Sequence, residues 1–210
     1  MANRLCFIVN KDNKVETKQI EFKWIGGLAF SQRVKCASSL ANSVKQTLPI
    51  YNHLEISTKS LNDTGIALSA FNLKLDGLPV ESIYHSSRIY EDGTQYEFLK
   101  HYKPGDAKKF INENGKGKMI GFKYNEVEYP ISPVTAFYNW IYINALAKSE
   151  LSDDVLKYDA FTDIEFNDKR ALNCQARAAA LYVAIVRRKM ENYFLSSFNR
   201  FLEAYALFVD

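Results

Sequence analysis

Acidic side chains occur in two separate segments of this sequence, each beside a predicted helix. In the first segment, residues 68–88, Glu81 lies where a short helix is predicted to begin. In the second segment, residues 158–177, Asp159 and Asp163 precede a long predicted helix. Two carboxylates brought together from distant segments suit acid–base chemistry on a bound substrate. Spacing alone favours a simpler interpretation, because carboxylates also stabilise helix starts or lie in solvent.

The motif content excludes several familiar enzyme classes. The sequence lacks the phosphate-binding GxxxxGK[ST] loop, the dinucleotide-binding GxGxxG loop, the zinc motif HExxH and the hydrolase GxSxG elbow. The histidines and cysteines are scattered, without the spacing of metal ligands; they are His53, His85, His101, Cys6, Cys36 and Cys174. We therefore expect no metal and no other cofactor.

Composition indicates one domain in a reducing compartment. The 210 residues suit a single domain, and a hydrophobic content of 47% supplies an ample core. The net charge of +3 is too small to indicate nucleic-acid binding by itself, although a local basic patch is compatible with it. No secretory signal and no membrane-spanning apolar run are visible, and unpaired cysteines fit a cytoplasmic location.

Apolar spacing predicts an α+β fold in which helices predominate, as one domain over residues 1–210 with small β elements. Its N-terminal part, residues 1–50, is predicted to begin with a hairpin of residues 4–9 and 15–24. A helix from Phe30 to Leu48 follows. That helix repeats apolar residues at spacings of three and four, which indicates one face packed in the core.

The other predicted elements surround the two acidic segments, within a core part of residues 51–190. Alternating residues around Asp76-Gly77 predict a second hairpin, and residues 81–90 suit a short helix. Residues 91–129 predict a loose excursion with one short helix and a hairpin around Asn125. Further helices are predicted from Pro133 to Lys148, from Asn173 to Arg188 and in an aromatic-striped C-terminal part, residues 191–210.

The first acidic segment resembles the signature of the NADAR family of N-glycosidases. The family has a Ser-Asn-Phe-like motif, a strand with an Asp-Gly turn, and then a proline and a catalytic glutamate. The matching residues here are Leu68-Ser69-Ala70-Phe71, Asp76-Gly77, Pro79, Glu81, Tyr84, His85 and Arg88. The last three stand in place of the family's Phe, Gln and Lys. The resemblance implies that Glu81 is the catalytic glutamate.

The second acidic segment resembles a later element of the same family. Asp159-Ala160-Phe161 matches its Asp-Ala-aromatic motif, and Asn173 matches the asparagine at the start of the next helix. Residues 162–170 replace the family's Trp-Gly and glycine-rich run, and its catalytic tryptophan has no match here. Over nearly the whole chain, segments such as EFKW, LEISTKS and ISPVTAFYNWIYINAL are similar to NADAR proteins that accompany DarT-type toxins.

This resemblance implies an N-glycosidase that removes ADP-ribose from guanine bases of DNA. In such systems the DarT-type toxin attaches the ADP-ribose, and the NADAR protein is the antitoxin. The expected partners are ADP-ribosylated DNA and the cognate toxin, with no membrane. A carboxylate beside the anomeric carbon stabilises the oxocarbenium-like transition state, and a second acid protonates the leaving base or holds the ribose.

The resemblance implies different roles for the remaining charged candidates. By its match to the motif, Asp159 is expected to touch the ribose or the leaving group. Asp163 is the alternative candidate for the second catalytic carboxylate; otherwise it is expected to orient Arg177 or to cap the following turn. Lys59 is a candidate to bind the pyrophosphate or to attack the opened sugar and form a Schiff base. Otherwise, Lys59 is an ordinary lysine exposed to solvent at the end of a strand.

The other candidates would bind the substrate. Aromatic side chains offer flat surfaces to adenine or guanine, and cationic or polar groups hold the pyrophosphate and the ribose. The substrate-binding set is Ser69, Phe71, Asn72, Tyr84, His85, Arg88, Asn173 and Arg177, with Trp140 as a further aromatic. Each aromatic has the alternative of an ordinary place in the core.

Two other functions stay open on the sequence. An enzyme of the same fold would act on a small phosphoribosyl intermediate of the riboflavin pathway, and release of free base from a mononucleotide would reveal it. A non-catalytic module would bind ADP-ribose or the toxin, and the substitutions at His85 and Arg88 make this alternative plausible.

Overall fold

The computed structural model describes residues 1–27, 29–169 and 171–208. Helices, including 3-10 helices, make up 44% of the described residues and strands 19%, which confirms the α+β class with helices predominant. Residues 209–210, which belong to the predicted C-terminal part, lie outside the described residues. Within the described ranges, no helix is both long enough and apolar enough to cross a membrane.

The described residues form nine strands and eight α-helices. The strands are β1 (Ala2–Val9), β2 (Val15–Phe22), β3 (His53–Glu55), β4 (Lys74–Leu75), β5 (Leu78–Pro79), β6 (Arg88–Tyr90), β7 (Met119–Tyr124), β8 (Val127–Pro130) and β9 (Ala160–Thr162). The helices are α1 (Phe30–Thr47), α2 (Asp63–Ala67), α3 (Val80–Ser86), α4 (Pro104–Asn114), α5 (Ala136–Ala147), α6 (Gln175–Arg187), α7 (Glu191–Phe194) and α8 (Phe198–Phe208). Two short 3-10 helices lie at Glu97–His101 and Asp154–Lys157.

A four-stranded sheet in the order β2-β1-β9-β3 organises the fold. The pairing of β1 with β2 confirms the predicted N-terminal hairpin. Strand β9 is antiparallel to β1 but parallel to β3, with Leu54 opposite Phe161. Because the carboxyl ends of parallel neighbours meet at the same edge of a sheet, the residues that follow β3 and β9 lie close together.

Helices cover both faces of this sheet. Alternate residues of a strand point to opposite faces. Accordingly, Cys6 and Ile8 of β1 pack in a cluster with buried residues of α1. Phe7 and Val9 of the same strand join the main core, which contains the buried residues of α5 and α6. The prediction that one face of the helix beginning at Phe30 packs in the core is confirmed.

The segment around the Asp-Gly turn differs in part from its prediction. Asp76 and Gly77 have φ of 51° and 84°, as a two-residue hairpin turn between short strands requires. The residues before it do not form an extended strand, because the side chain of Asn62 accepts a hydrogen bond from the Thr64 amide and starts helix α2. Gly65 of this helix lies so close to the Glu55 carbonyl oxygen that a Cβ would be 2.0 Å from it.

Three other boundaries differ from the sequence prediction. Residues 88–90 are strand β6, paired with β7, and do not continue the helix that precedes them. The helix predicted to open at Pro133 begins at Ala136. The C-terminal aromatic stripe is divided between α7 and α8. The helix of the 91–129 excursion and its hairpin at Asn125 are both present, as α4 and the β7–β8 pair.

Candidate active site

A cleft lies at the edge of the sheet where β3 and β9 end. Its lining includes residues that follow β3, such as Lys59, and residues that follow β9, such as Asp163. The start of helix α3 closes another side with Glu81. The cleft has two adjoining parts, of about 270 and 330 Å³. The two parts share Glu81, Lys108, Tyr138, Ala171 and Asn173.

Nine of the twelve predicted site residues line this cleft. They are Glu81, Lys59, Asp163, Ser69, Phe71, Tyr84, His85, Arg88 and Asn173. Asp159, Asn72 and Arg177 are not among the lining residues in the part of the chain that the structure describes. Segments that are about a hundred residues apart in the sequence thus supply one concave surface.

The two aspartates occupy positions opposite to those expected. Asp159 precedes β9 and Asp163 follows it, so the strand separates them by about 13 Å at 3.3 Å per residue. Asp159 accepts a hydrogen bond from Arg187 at 2.9 Å and one from the Asn52 amide at 3.1 Å. Of the two aspartates that could meet Glu81, the structure therefore brings Asp163 to the cleft, whereas Asp159 lies at the other end of the strand. Asp163 lines the cleft and also accepts the Glu165 amide hydrogen bond at 2.9 Å, as a turn cap would.

Glu81 lies in the first turn of helix α3, which is fixed by a hydrogen bond from its amide to the Ala70 carbonyl at 3.0 Å. Its Oε1 is 3.2 Å from His85 Nε2, one helical turn on, and 3.9 Å from Lys108 Nζ. Burial, the largest single influence, favours the neutral carboxyl. The hydrogen bond and charge of His85, with the charges of Lys108 and Arg88, outweigh it and lower the pKa of Glu81.

His85 is a hydrogen-bond partner of the Glu81 carboxylate. Burial lowers the pKa of His85, although the hydrogen bond with Glu81 opposes this shift. Burial thus favours the neutral imidazole, whereas the Glu81 carboxylate favours the protonated one. An ionised carboxylate only accepts hydrogen bonds, so the proton of the neutral ring belongs on Nε2.

Asp163 has the opposite electrostatic environment. Burial raises its pKa well above the ordinary value, and the nearby carboxylates of Glu55 and Glu165 raise it further. Glu55 is buried as well, with a pKa that burial raises. Its carboxylate accepts hydrogen bonds from the Thr162 hydroxyl and from the Ile164 amide, the latter at 2.8 Å. The cleft thus contains two carboxyl groups whose pKa values are shifted in opposite directions, an arrangement that suits paired acid and base roles.

Gln175 and Tyr138 shape the cleft but were not predicted as site residues. Gln175 accepts a hydrogen bond from the Ala70 amide at 2.7 Å and donates one to the Ile56 carbonyl at 2.8 Å. Gln175 thereby connects helix α6 to the loop of residues 68–73 and to the end of β3. Tyr138 lies in both parts of the cleft, and burial, together with the nearby Glu81 carboxylate, raises the pKa of its phenol. A glutamine at the start of an alanine-rich helix was the one available sequence signal.

Several buried polar atoms of the cleft lack protein partners. His85 Nδ1, Arg88 Nε and Asn173 Oδ1 each have no hydrogen bond among the described residues. All three residues line the part of the cleft next to Glu81. Since buried polar groups are nearly always paired, such a cluster indicates a place where ligand or water completes the hydrogen bonds.

The remaining candidates have structural contacts elsewhere. Arg177 lies over the ring of Tyr205, 5.6 Å from its centre. Contrary to the expectation, no hydrogen bond or ion pair joins Arg177 to Asp163 among the described residues. Asn72 donates a hydrogen bond to the Ile66 carbonyl at 2.9 Å and so stabilises the loop of residues 68–73. Trp140 packs against Phe198 and Phe201, the core alternative considered for it.

Lys59 lines the cleft beside Phe30. Its Nζ donates a hydrogen bond to Thr58 Oγ1 at 2.7 Å and lies 4.6 Å from the centre of the Phe30 ring. These contacts direct an ammonium group toward the lining of the cleft, where it is available to an anionic ligand. Within residues 1–27, 29–169 and 171–208, no cluster of three or more His, Cys, Asp or Glu side chains is placed to hold a metal ion.

Similarity to a known protein family extends over nearly the whole chain. A search of curated proteins finds no match. The family model described as DarT1-associated NADAR antitoxin matches residues 2–209, which is nearly the full length. The match includes both acidic segments and every element that lines the cleft. The chain therefore belongs to the family of DarT1-associated NADAR antitoxins.

Proposed function

We propose that this chain is an N-glycosidase that removes ADP-ribose from guanine bases of DNA, and that it thereby acts as the antitoxin of a DarT-type toxin. The observation that carries the proposal is that Glu81 and Asp163 line one cleft, where their surroundings shift the two pKa values in opposite directions. Membership in the antitoxin family supports the same biological role.

In the proposed reaction, water replaces the guanine nitrogen at the anomeric carbon of the ribose. The carbon–nitrogen bond breaks with both electrons leaving to the base, which receives a proton from Asp163. Glu81 stabilises the positive charge on the ribose and accepts a proton from the attacking water. Transfer of a proton from Glu81 back to Asp163 through solvent restores the starting state, so the net reaction is hydrolysis without proton uptake.

The lining of the cleft supplies groups for the rest of the substrate. Lys59, Lys108 and Arg88 provide positive charge for the pyrophosphate. Phe71, with 38% of its surface exposed, provides a flat apolar face for a purine ring. The unpaired Oδ1 of Asn173 is an acceptor for a ribose hydroxyl.

Incubation with an oligonucleotide that carries one ADP-ribosylated guanine tests the proposal. We expect multiple turnovers that restore the unmodified strand. Tight binding of ADP-ribose without turnover would instead support the non-catalytic module. Release of free base from a riboflavin-pathway mononucleotide, with no action on the oligonucleotide, would support the related enzyme.

Substitution of Lys59 distinguishes electrostatic binding from Schiff-base chemistry. We expect Lys59→Ala to raise KM about tenfold, because one charge-assisted contact to phosphate is lost. Lys59→Arg should recover most of this loss, because arginine also pairs with phosphate. If Lys59→Arg is as inactive as Lys59→Ala and borohydride traps a covalent adduct of the parent, Lys59 acts as a nucleophile.

Removal of the Asp159 carboxylate should affect stability rather than cleavage. We expect Asp159→Ala to lower the free energy of unfolding by about 1–2 kcal/mol, because Arg187 loses a half-buried charged partner. Cleavage should stay within about twofold of the parent. Denaturant unfolding and single-turnover cleavage measure the two effects.

A matched control for this variant is Asp154→Ala. Asp154 forms an exposed ion pair with Lys157, and such pairs contribute at most about 1 kcal/mol. A large loss of cleavage in Asp159→Ala with unchanged stability would place Asp159 in the reaction and contradict the geometry.

A further inference from the structure

A basic and aromatic part of the surface adjoins the cleft beside helix α3. It comprises residues 96–118, which include the 3-10 helix Glu97–His101 and helix α4, and we call it the lysine–aromatic unit. The unit has six lysines and three acidic residues. Its net charge equals that of the entire chain, so the mild average conceals a local concentration of positive charge.

Two aromatic side chains of this unit are exposed to solvent. Phe98 exposes 48% of its surface and Tyr102 exposes 45%. Their rings meet edge to face with centres 5.6 Å apart, and Phe98 also contacts Phe110 at 5.4 Å. The neighbouring contacts hold the two rings in place while leaving surface free. Fixed aromatic surface of this kind suits stacking with flat partners.

Two contacts place the unit next to the reacting groups. The Ser82 hydroxyl donates a hydrogen bond to the Tyr102 carbonyl at 2.9 Å, and Ser82 directly follows Glu81. Lys108 of helix α4 lines the cleft, with its Nζ 3.9 Å from Glu81 Oε1. A nucleic-acid strand with one nucleotide bound in the cleft is therefore within reach of the lysine–aromatic unit.

We propose that the lysine–aromatic unit binds the single DNA strand that flanks the modified guanine. Neighbouring bases stack on Phe98 and Tyr102, and backbone phosphates pair with Lys103 and Lys109. This inference rests on the proposed function, because it assigns the polymer part of the same substrate. Exposed aromatics among lysines suit unpaired bases, whose faces are free, whereas the bases of a duplex are already stacked.

Binding of an unmodified single-stranded oligonucleotide of about 12 nucleotides tests this surface directly. We expect Phe98→Leu and Tyr102→Leu each to weaken binding about tenfold, because stacking is lost while apolar packing is kept. The double variant Lys103→Ala with Lys109→Ala should reduce the slope of log affinity against log salt concentration by about 1.4, at 0.7 for each phosphate contact. Circular dichroism melts establish that each variant is folded.

Control variants share the chemistry but lie away from the cleft. Tyr193, with 43% of its surface exposed, matches the aromatic changes as Tyr193→Leu, and the exposed Lys18 matches the lysine changes as Lys18→Ala. Both controls should bind like the parent. If the unit's variants also bind like the parent, or if the parent does not bind the oligonucleotide at low salt, the inference is overturned.

Cleavage assays separate this inference from the proposed function. The unit's variants should cleave an ADP-ribosylated guanosine mononucleotide at the parental rate but act on the modified oligonucleotide with KM raised about tenfold. Equal loss on both substrates would contradict strand binding by the unit. If the parent cleaves neither substrate, the proposed function fails, and binding of the unmodified strand still decides whether the unit holds DNA.

Discussion

Glu81→Gln should lower the rate of single-turnover cleavage by about 10³-fold or more. The amide occupies the same volume and its oxygen still accepts the hydrogen bond from His85, 3.2 Å away in the parent. It carries no charge to stabilise the oxocarbenium-like transition state and accepts no proton from water. Substrate binding and the melting temperature should change little, because the geometry of helix α3 is kept.

Glu150→Gln is the matched control for this variant, because Glu150 is exposed after the end of helix α5. It should cleave at the parental rate. If Glu81→Gln retains turnover within tenfold of the parent, Glu81 is not the catalytic carboxylate and the assignment fails.

Asp163→Asn should lower the rate by about 10²–10⁴-fold, the usual contribution of a general acid. The side chain is buried and its surroundings raise its pKa, which favours the neutral acid, so an uncharged amide fits the same environment. We therefore expect the free energy of unfolding to stay the same or to rise. A loss of activity that parallels a loss of stability would show that the substitution disrupts the fold and does not remove a proton donor.

The pH dependence of cleavage follows from the same two carboxyl groups. Glu81 acts as the anion, so activity should fall at acidic pH as the medium passes below its lowered pKa. Asp163 acts as the acid, so activity should also fall as the pH rises through its raised pKa. Glu55→Gln should shift this alkaline limb to lower pH, because it removes a negative charge that raises the pKa of Asp163. An unchanged limb would show that another group supplies the proton.

The resemblance to the NADAR signature, and not spacing alone, singled out the candidate residues on helix α3. Glu81 and His85 are four residues apart, and residues at that spacing share a face of a helix. The helix itself was recognisable from its position after the Asp-Gly turn and Pro79. Tyr84 and Arg88 follow in the same short segment, so most of one wall of the cleft could be predicted without knowledge of the tertiary fold.

The choice between Asp159 and Asp163 depended on information that the sequence does not contain. They flank a strand of only three residues, and the partner of that strand lies about a hundred residues earlier. Only the parallel pairing of β9 with β3 determines which end of β9 reaches the cleft. The motif match favoured Asp159, whereas the direction of the strand places Asp163 in the lining of the cleft.

Glu55 was hidden from sequence analysis for a related reason. It lies between Leu54 and Ile56, and all three are buried because helices cover both faces of the sheet. A strand with one solvated face would have placed its carboxylate in water. Glu55 acts on Asp163 because the tertiary fold buries it nearby. The tertiary fold also explains why Trp140, a candidate for base stacking in the sequence, packs against Phe201 instead.

Mass spectrometry of both products from one ADP-ribosylated guanine oligonucleotide tests the central claim most directly. Hydrolysis of the glycosidic bond predicts a strand that returns to its unmodified mass together with free ADP-ribose, with both products strongly reduced in Glu81→Gln. Appearance of AMP with phosphoribose still attached to the strand would mean that the pyrophosphate is cut instead. That result, or a modified strand left unchanged by the parent protein, would contradict the assignment of Glu81 and Asp163 to cleavage of the glycosidic bond.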